Sequence, residues 1–388
     1  MTVAWAEARA IARTVGSDAL TGYEHVPVAE GAGRVLAAPL AALCDLPGAD
    51  TSAMDGWAVS GPGPWLLEAE IAVGDPPPSS PLPSGVARPI ATGAPVPPGG
   101  VAILRRERGE ERDGVLRVVL DARAPLPGAD IRRRGEEVTA GEPVLDAGRV
   151  LTPPAVALAA ASGLDELPVR IPPLADVLVL GREVEPAGVP SPGRVRDALG
   201  PQLPAVLAGL GARSAAPVLA GDDREAVLAA LEAAGGDLLV TTGGTADGPT
   251  DVLRSALAGC RLVVDRVAMR PGAPALLAVR PDGRPVLALP GNPFAALVAL
   301  LTLGAPLLDG MLGRPSPPLL GAPAAEDIGN ERPGVRVVAC RRTGEGVSPV
   351  AFQGAGTVRG AAEADVLAVV PEGGVRAGES VPMLPPAW

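Results

Sequence analysis

Five short segments of this 388-residue chain hold side chains whose types and spacing could do chemistry. "TSAMDGWAV" carries Asp55 in an Asp-Gly pair, which taken alone reads as a turn. "DIRRRGEEV" sets Arg132, Arg133 and Arg134 just ahead of Glu136 and Glu137, which taken alone reads as a solvated charged turn. "DLLVTTGGTADGPTDVL" is strand, glycine loop and helix start, running through Gly243, Gly244 and Thr245 to Asp251. Its glycines let the backbone approach a ligand, and amides at a helix start favour an anion such as phosphate. "RVAMRPGAP" places Arg266 and Arg270 four apart, so in an extended chain both side chains share one face. The planar fork of arginine is adapted to bidentate contact with an oxyanion. "LPGNPF" is stiffened by Pro290 and Pro293 around Gly291 and Asn292. A helix N-cap is a sufficient structural reason for Asn292, and the rigid loop also suits presenting backbone groups to a ligand.

The chemistry these segments allow is anion binding by arginines and backbone amides, with carboxylates to hold a metal. Other chemistries have little to build on. His25 is the only histidine, and its neighbours in "GYEHVPVAE" offer no partner at helical spacing. Cys44, Cys260 and Cys340 are far apart and odd in number, which argues against a disulfide framework or a thiolate metal site. The chain has no lysine, so its 33 basic residues are all arginine, and asparagine occurs only at Asn292 and Asn330. Such a skew matches a GC-rich coding sequence, so residues that run against it carry the most information. The net charge of −11 argues against general nucleic-acid binding, and an anionic ligand must be held locally against that field.

The elements that would position these residues fall into three regimes. Up to about Val138 the chain reads as short strands broken by Pro-Gly turns. From Ala175 to about Gly310 strands alternate with helices, as in "DVLVLG" and "DDREAVLAALEAAGG", which predicts parallel strands with crossover helices. After Pro315, "VRVVAC", "VSPVAF", "ADVLAVVP" and "ESVPML" predict a small β-barrel or sandwich. Between the first two regimes, Pro153 to Ser162 reads as a helix ended by Gly163. The N-terminal "MTVAWAEARAIARTVG" is an amphipathic helix with charges at Glu7, Arg9 and Arg13, not a signal peptide. The longest apolar run, Phe294 to Leu303, is too short to span a bilayer, so a soluble cytoplasmic protein without membrane or nucleic-acid partners is expected.

Taken in order, the segments resemble the molybdopterin molybdenumtransferases (the MoeA and gephyrin E-domain-like family). The likeness runs over "SAMDGWAV", "IATGAPVPPG", "DIRRRGEE", "VLVLGREV", "PGRVRDALGPQL", "DLLVTTGGTADGPTD", "VAMRPGAP", "LPGNPFAAL" and the C-terminal "GAGTVRGAAEADVLAVVPEGGVRAGESVPML". It implies an α/β plus β multidomain fold. Residues 1–22 and 139–172 would form an elongated dimerisation domain, and 23–138 an inserted β-rich domain. Residues 173–314 would form a parallel α/β molybdopterin-binding domain, and 315–388 a small C-terminal β-barrel. It also implies a homodimer whose cleft lies between the α/β domain of one subunit and the inserted domain of the other. The implied reaction inserts molybdate into adenylylated molybdopterin and releases AMP with the help of Mg²⁺. Contact with other cofactor-biosynthesis proteins is a further implication.

By matching position, the resemblance places Asp55, Thr92, Arg132 and Glu137 in the cleft from the inserted domain. It places Glu183, Asp223 and Asp251 there from the α/β domain, as catalytic carboxylates and metal ligands. Gly243, Gly244, Thr245, Arg266, Arg270, Pro290, Gly291, Asn292 and Pro293 would bind substrate. The dithiolene nucleophile belongs to the substrate, so the scarcity of histidine and cysteine is no obstacle. Departures from the family pattern fall at Arg182, Ala198, Leu199, Ala246, Ala273 and Val101, where polar or acidic residues are expected, and Glu137 stands for an aspartate. They keep open a paralogue of weakened turnover that binds molybdopterin or serves as a scaffold. Another nucleotide-binding enzyme on the same α/β module is a third reading, against which the β regions on both flanks count.

Overall fold

A computed structural model describes residues 2–221, 223–245, 252–316 and 318–384. The chain folds into two compact units, one of residues 1–24, 148–150 and 169–388 and the other of residues 25–147 and 151–168.

The larger unit is built on a seven-stranded sheet. Its order is Arg213–Ser214, Leu174–Val179, Leu238–Thr242, Pro285–Leu289, Leu276–Val279 and Arg261–Val264, with Val218–Leu219 also paired to Leu174–Val179. Leu238–Thr242 and Pro285–Leu289 are buried along their whole length, as central strands covered on both faces must be. The pairings on the Arg213–Ser214 side, through to Pro285–Leu289, are parallel. The expectation of parallel strands throughout is corrected at the other edge, where Leu276–Val279 and Arg261–Val264 run antiparallel. The cause is local. Only Arg280 to Arg284 join Leu276–Val279 to Pro285–Leu289, and Gly283, at φ +88°, closes a hairpin too short for a crossover helix.

Two helices anchor this sheet. Trp5–Asp18 buries Ala8, Ala12, Val15 and Gly16, the one-sided spacing of an amphipathic helix. It meets Ala305–Met311 backbone to backbone. A Cβ on Gly16 would stand 1.9 Å from the Leu307 carbonyl oxygen, and one on Gly310 2.3 Å from that of Arg13. No larger residue fits there. The second helix runs continuously from Pro293 to Met311 and slips into π geometry over Leu300–Gly304. Arg9 donates to the Leu301 and Thr302 carbonyls at 3.1 and 3.3 Å, where the helix changes its register. At 19 residues and a mean hydropathy of 1.8 this helix is long and apolar enough to cross a membrane, which corrects the expectation from the shorter run Phe294 to Leu303. Its apolar window is 89% buried in the protein, so it serves as the core helix of the unit.

The C-terminal strands follow the order Met269–Arg270, Val335–Thr343, Val366–Val370, Ser380–Leu384 and Gly321–Pro323, with Gly346–Pro349 on Val335–Thr343. A bridge between Ala324 and Val347 joins the outer strands, and the Ala325 amide donates to the Val347 carbonyl at 2.9 Å. A Cβ on Gly346 would lie 2.0 Å from the Pro323 carbonyl oxygen, so the ring closes only around glycine.

The smaller unit is a six-stranded sheet of order Ala102–Arg105, Gly56–Val59, Val86–Ile90, Trp65–Leu67, Val115–Val118 and Gly109–Arg112. Gly56–Val59 is buried at every position and packs an apolar cluster on each face. Trp57 and Val59 pack with Trp65, Leu104 and Leu116, while Ala58 faces Ile71, Ile90 and Ile103. The Pro153–Ala161 helix starts where expected, with the Thr152 hydroxyl accepting from the Ala155 amide.

Candidate anion-binding site

The carboxyl ends of Leu174–Val179, Leu238–Thr242 and Pro285–Leu289 open onto a cavity of about 730 Å³. This is where a ligand binds in an open parallel sheet. Eight of the residues nominated from the sequence line it: Glu183, Gly243, Gly244, Thr245, Pro290, Gly291, Asn292 and Pro293. Gly243 and Gly244 take φ of +84° and +64°, the left-handed region that glycine enters freely. The Gly243 amide donates to the Leu289 carbonyl at 3.0 Å, and a Cβ on Gly291 would sit 3.5 Å from the Gly243 Cα. The glycine loop and the Pro-Gly-Asn-Pro loop therefore form one continuous wall.

Asn292 stands at the N-cap position of the Pro293 helix, yet its side chain makes no capping hydrogen bond. The amides of Phe294 and Ala295 instead both donate to the Ala355 carbonyl, each at 3.1 Å. This corrects the capping explanation of Asn292. Its carboxamide is exposed and lines both this cavity and a second one of about 400 Å³. The two cavities share Pro274, Pro290 and Asn292 as a common wall.

The second cavity is basic. Arg270 and Arg336 line it and no carboxylate does, among the described residues. Arg270 donates to the Asn330 side-chain oxygen and, at 3.2 Å, to the Pro333 carbonyl. The Asn330 amide is itself fixed by the Gly334, Val370 and Pro371 carbonyls at 2.8, 3.2 and 3.0 Å. So the second asparagine of the chain is a buried brace that aims Arg270. Arg266 does not join it. The chain changes partners at Ala268: Arg266–Val267 pairs with Thr2–Val3, whereas Met269–Arg270 pairs with Val335 and Arg336. Arg266 lines neither cavity.

The acidic residues part company in the same way. Glu183 reaches the larger cavity, and its carboxylate makes no hydrogen bond or ion pair among the described residues. Asp223 does not line the cavity; its Oδ2 accepts from the Ala226 amide at 2.9 Å and caps Arg224–Ala233. Asp251 and Ala246 lie outside the described residues. Among the described residues no three His, Cys, Asp or Glu side chains gather as a metal cluster. Magnesium does not require one, since it is commonly held by one or two carboxylates together with substrate phosphates and water. Glu183, without a side-chain bond among the described residues, is a carboxylate of the kind that donor set uses.

In the smaller unit, Asp55 and Thr92 meet directly. The Asp55 Oδ1 accepts from the Thr92 amide at 2.7 Å and from its hydroxyl at 2.9 Å. The amide first and the hydroxyl second hold the Asp55 carboxyl below the usual carboxylate range, with a smaller pull from Arg106. Gly56 then enters the sheet so tightly that a Cβ would lie 2.0 Å from the Leu104 carbonyl oxygen. Asp55-Gly56 is thus the entry to a central strand as well as a bend. Arg132 is set opposite Thr51 by strand pairing. Within the run 132–137, Arg133 bonds Asp50 at 2.6 Å, Arg134 bonds Asp45 at 2.5 Å, and Glu136 accepts from the Arg133 amide at 2.8 Å. Those three side chains tie the loop down. Arg132 and Glu137 are exposed and make no such bond among the described residues.

Several residues of the larger cavity escape the sequence reading. Arg196, Asp197, Pro274, Gly356 and Val358 line it without having been nominated. Arg196 and Asp197 lie within "GRVRDALG", and their chemistry was visible there. Gly356 and Val358 come from the C-terminal part of the chain and carry no reactive group, so only the fold reveals them. Asp197 also explains how Ala198-Leu199 is tolerated: its Oδ1 accepts from the Leu199 and Gly200 amides at 2.9 and 2.8 Å, the first two amides of the helix Leu199–Gly209. Arg182 is not part of the lining.

The fold and the site together define an α/β protein with a cavity between a glycine loop and a proline-braced loop. Three family models match the chain: the MoeA N-terminal region (domain I and II) at residues 3–163, a probable molybdopterin binding domain at 176–310, and the MoeA C-terminal region (domain IV) at 322–385. The chain is 36% identical over 324 residues to a molybdopterin molybdenumtransferase of Synechococcus elongatus, covering 79% of each. It is 37% identical over 315 residues to molybdopterin molybdenumtransferase 2 of Mycobacterium tuberculosis, covering 75% of this chain and 76% of that one. A crystal structure of a molybdopterin biosynthesis MoeA protein from Pyrococcus horikoshii superposes with a TM-score of 0.80 at 26% identity, over 99% of this chain and 98% of that one. The chain belongs to the molybdopterin molybdenumtransferase (MoeA) family.

Proposed function

We propose that the protein is a transferase of molybdenum cofactor biosynthesis, which inserts molybdate into adenylylated molybdopterin and releases AMP. The observation that carries this reading is the convergence of Glu183, the glycine loop and the 290–293 loop on one cavity, which shares a wall with a basic second cavity. The larger cavity takes the nucleotide-linked pterin. The smaller one, with Arg270 and Arg336, suits the tetrahedral oxyanion. Asn292 stands where the two ligands meet. Glu183, with Asp251 at the end of the glycine loop, would hold Mg²⁺; Asp223, which the family resemblance also nominates, caps the Arg224–Ala233 helix outside this cavity and is left out of that set. The cation would shield the diphosphate and make AMP a better leaving group.

The protein's own task is positioning. The Gly243 amide is taken by the Leu289 carbonyl, so Gly243 and Gly244 serve by bringing the backbone close to the anion, and two prolines keep the wall rigid while substrate and oxyanion approach. On this reading the chain forms a cytoplasmic homodimer with the four-domain division given above. Asp55, Thr92, Arg132 and Glu137 of one subunit then complete the cavity of the other. The test is AMP release from adenylylated molybdopterin in the presence of Mg²⁺. Release is expected to require molybdate, and tight binding of substrate without turnover would refute the enzymatic reading in favour of a scaffold.

A further inference from the structure

The strands Val184–Glu185 and Val195–Arg196 pair in parallel, Val184 with Val195 and Glu185 with Arg196, and form a short ribbon at the edge of the larger cavity. The charges on this lining are unequal. Glu183 and Asp197 are its acids, and Arg196 is its one base among the described residues. Asp197 is occupied by the Leu199 and Gly200 amides. Arg196 makes one side-chain hydrogen bond among the described residues, from Nη1 to the Glu185 carbonyl at 3.1 Å. That bond fixes the guanidinium to its own ribbon and leaves most of its N–H donors unused.

A multiply charged substrate cannot enter beside two carboxylates unless a cation meets it, and this wall supplies one. We propose that Arg196 binds the diphosphate that joins nucleotide to pterin, and so orients the bond broken when AMP leaves. The assignment rests on the reaction proposed above. It gives Arg196 a role different from that of Arg270 and Arg336, which line the other cavity.

Calorimetric titration of the full-length protein with AMP and with adenosine, in Mg²⁺, tests it. Adenosine has the same base and sugar without the phosphate. Wild type is expected to prefer AMP. Arg196→Gln is expected to weaken AMP about tenfold or more while leaving adenosine unchanged. Arg196→Lys should recover part of the loss, because it keeps the charge but not the fork. Undiminished AMP affinity in Arg196→Gln overturns the assignment and leaves the phosphate to the glycine loop. Equal losses for AMP and adenosine also overturn it, since they would mean that Arg196 only shapes the ribbon. If wild type shows neither a preference for AMP nor molybdate-dependent AMP release, the underlying reaction fails, whatever the variants do.

Discussion

Asn292 offers the sharpest test, because its two possible roles predict opposite patterns of loss. An asparagine that caps a helix loses about 1 kcal/mol of stability, within a range of roughly 0.5–2, when it is replaced by alanine. In a unit of this size such a loss lowers the thermal midpoint by about 2–4 °C. The structure predicts much less for Asn292→Ala, because the Ala355 carbonyl already takes the Phe294 and Ala295 amides. A shift within about 1 °C is therefore expected. Asp223→Ala is the internal standard: its carboxylate does accept the Ala226 amide, so it should show the full capping loss. Activity should reverse this order. Asn292→Ala removes the one polar side chain common to both cavities and should lower molybdate-dependent AMP release at least about tenfold. Asn292→Asp should do worse than alanine, since it puts a carboxylate between two anions at no cost in shape. The readouts are a thermal melt and the turnover assay on the same preparations. An Asn292→Ala protein that melts as early as Asp223→Ala yet turns over normally would refute the reasoning and return Asn292 to being a cap.

Two further outcomes follow from the smaller unit. Thr92→Val removes the hydroxyl donor and leaves the amide, so the Asp55 carboxyl should rise part of the way toward its ordinary value. A group depressed in the folded state stabilises it above the ordinary pKa and loses that contribution as pH falls through the folded value, so the variant's acid limit of activity should move upward in a pH profile. An unmoved limit would detach Asp55 from the reaction. In a homodimer with shared clefts, mixing inactive Asp55→Ala with inactive Glu183→Gln should restore about a quarter of wild-type activity, because half of the dimers then carry one intact site. No recovery after verified subunit exchange would place both residues in the same subunit's site.

How much of this was legible in the sequence depended on whether a residue's task is local. The glycine loop was readable because left-handed φ at Gly243 and Gly244 is a property of the residues themselves, and the Trp5–Asp18 helix because its burial follows a spacing. The hairpin at Gly283 was equally local, and the alternation of strands and helices around it hid the signal. The tasks of Asn292 and Asn330 were not readable. Both stood out as the only asparagines, but which one caps, which one braces and which one faces a ligand depends on carbonyls tens of residues away, at Ala355 for the first and at Val370 and Pro371 for the second. Arg266 and Arg270 teach the same lesson from the other side. Their spacing correctly implied one face of an extended chain, but a strand can change sheets between two residues, and Ala268 is where this one does. Spacing fixes which way a side chain points relative to its own backbone. Where that backbone lies is set by the pairing of Thr2–Val3 and of Val335–Arg336, at opposite ends of the chain. The residues that the resemblance nominates divide along the same line: Glu183 and the 290–293 loop meet on one cavity, whereas Asp223 and Arg266 line neither.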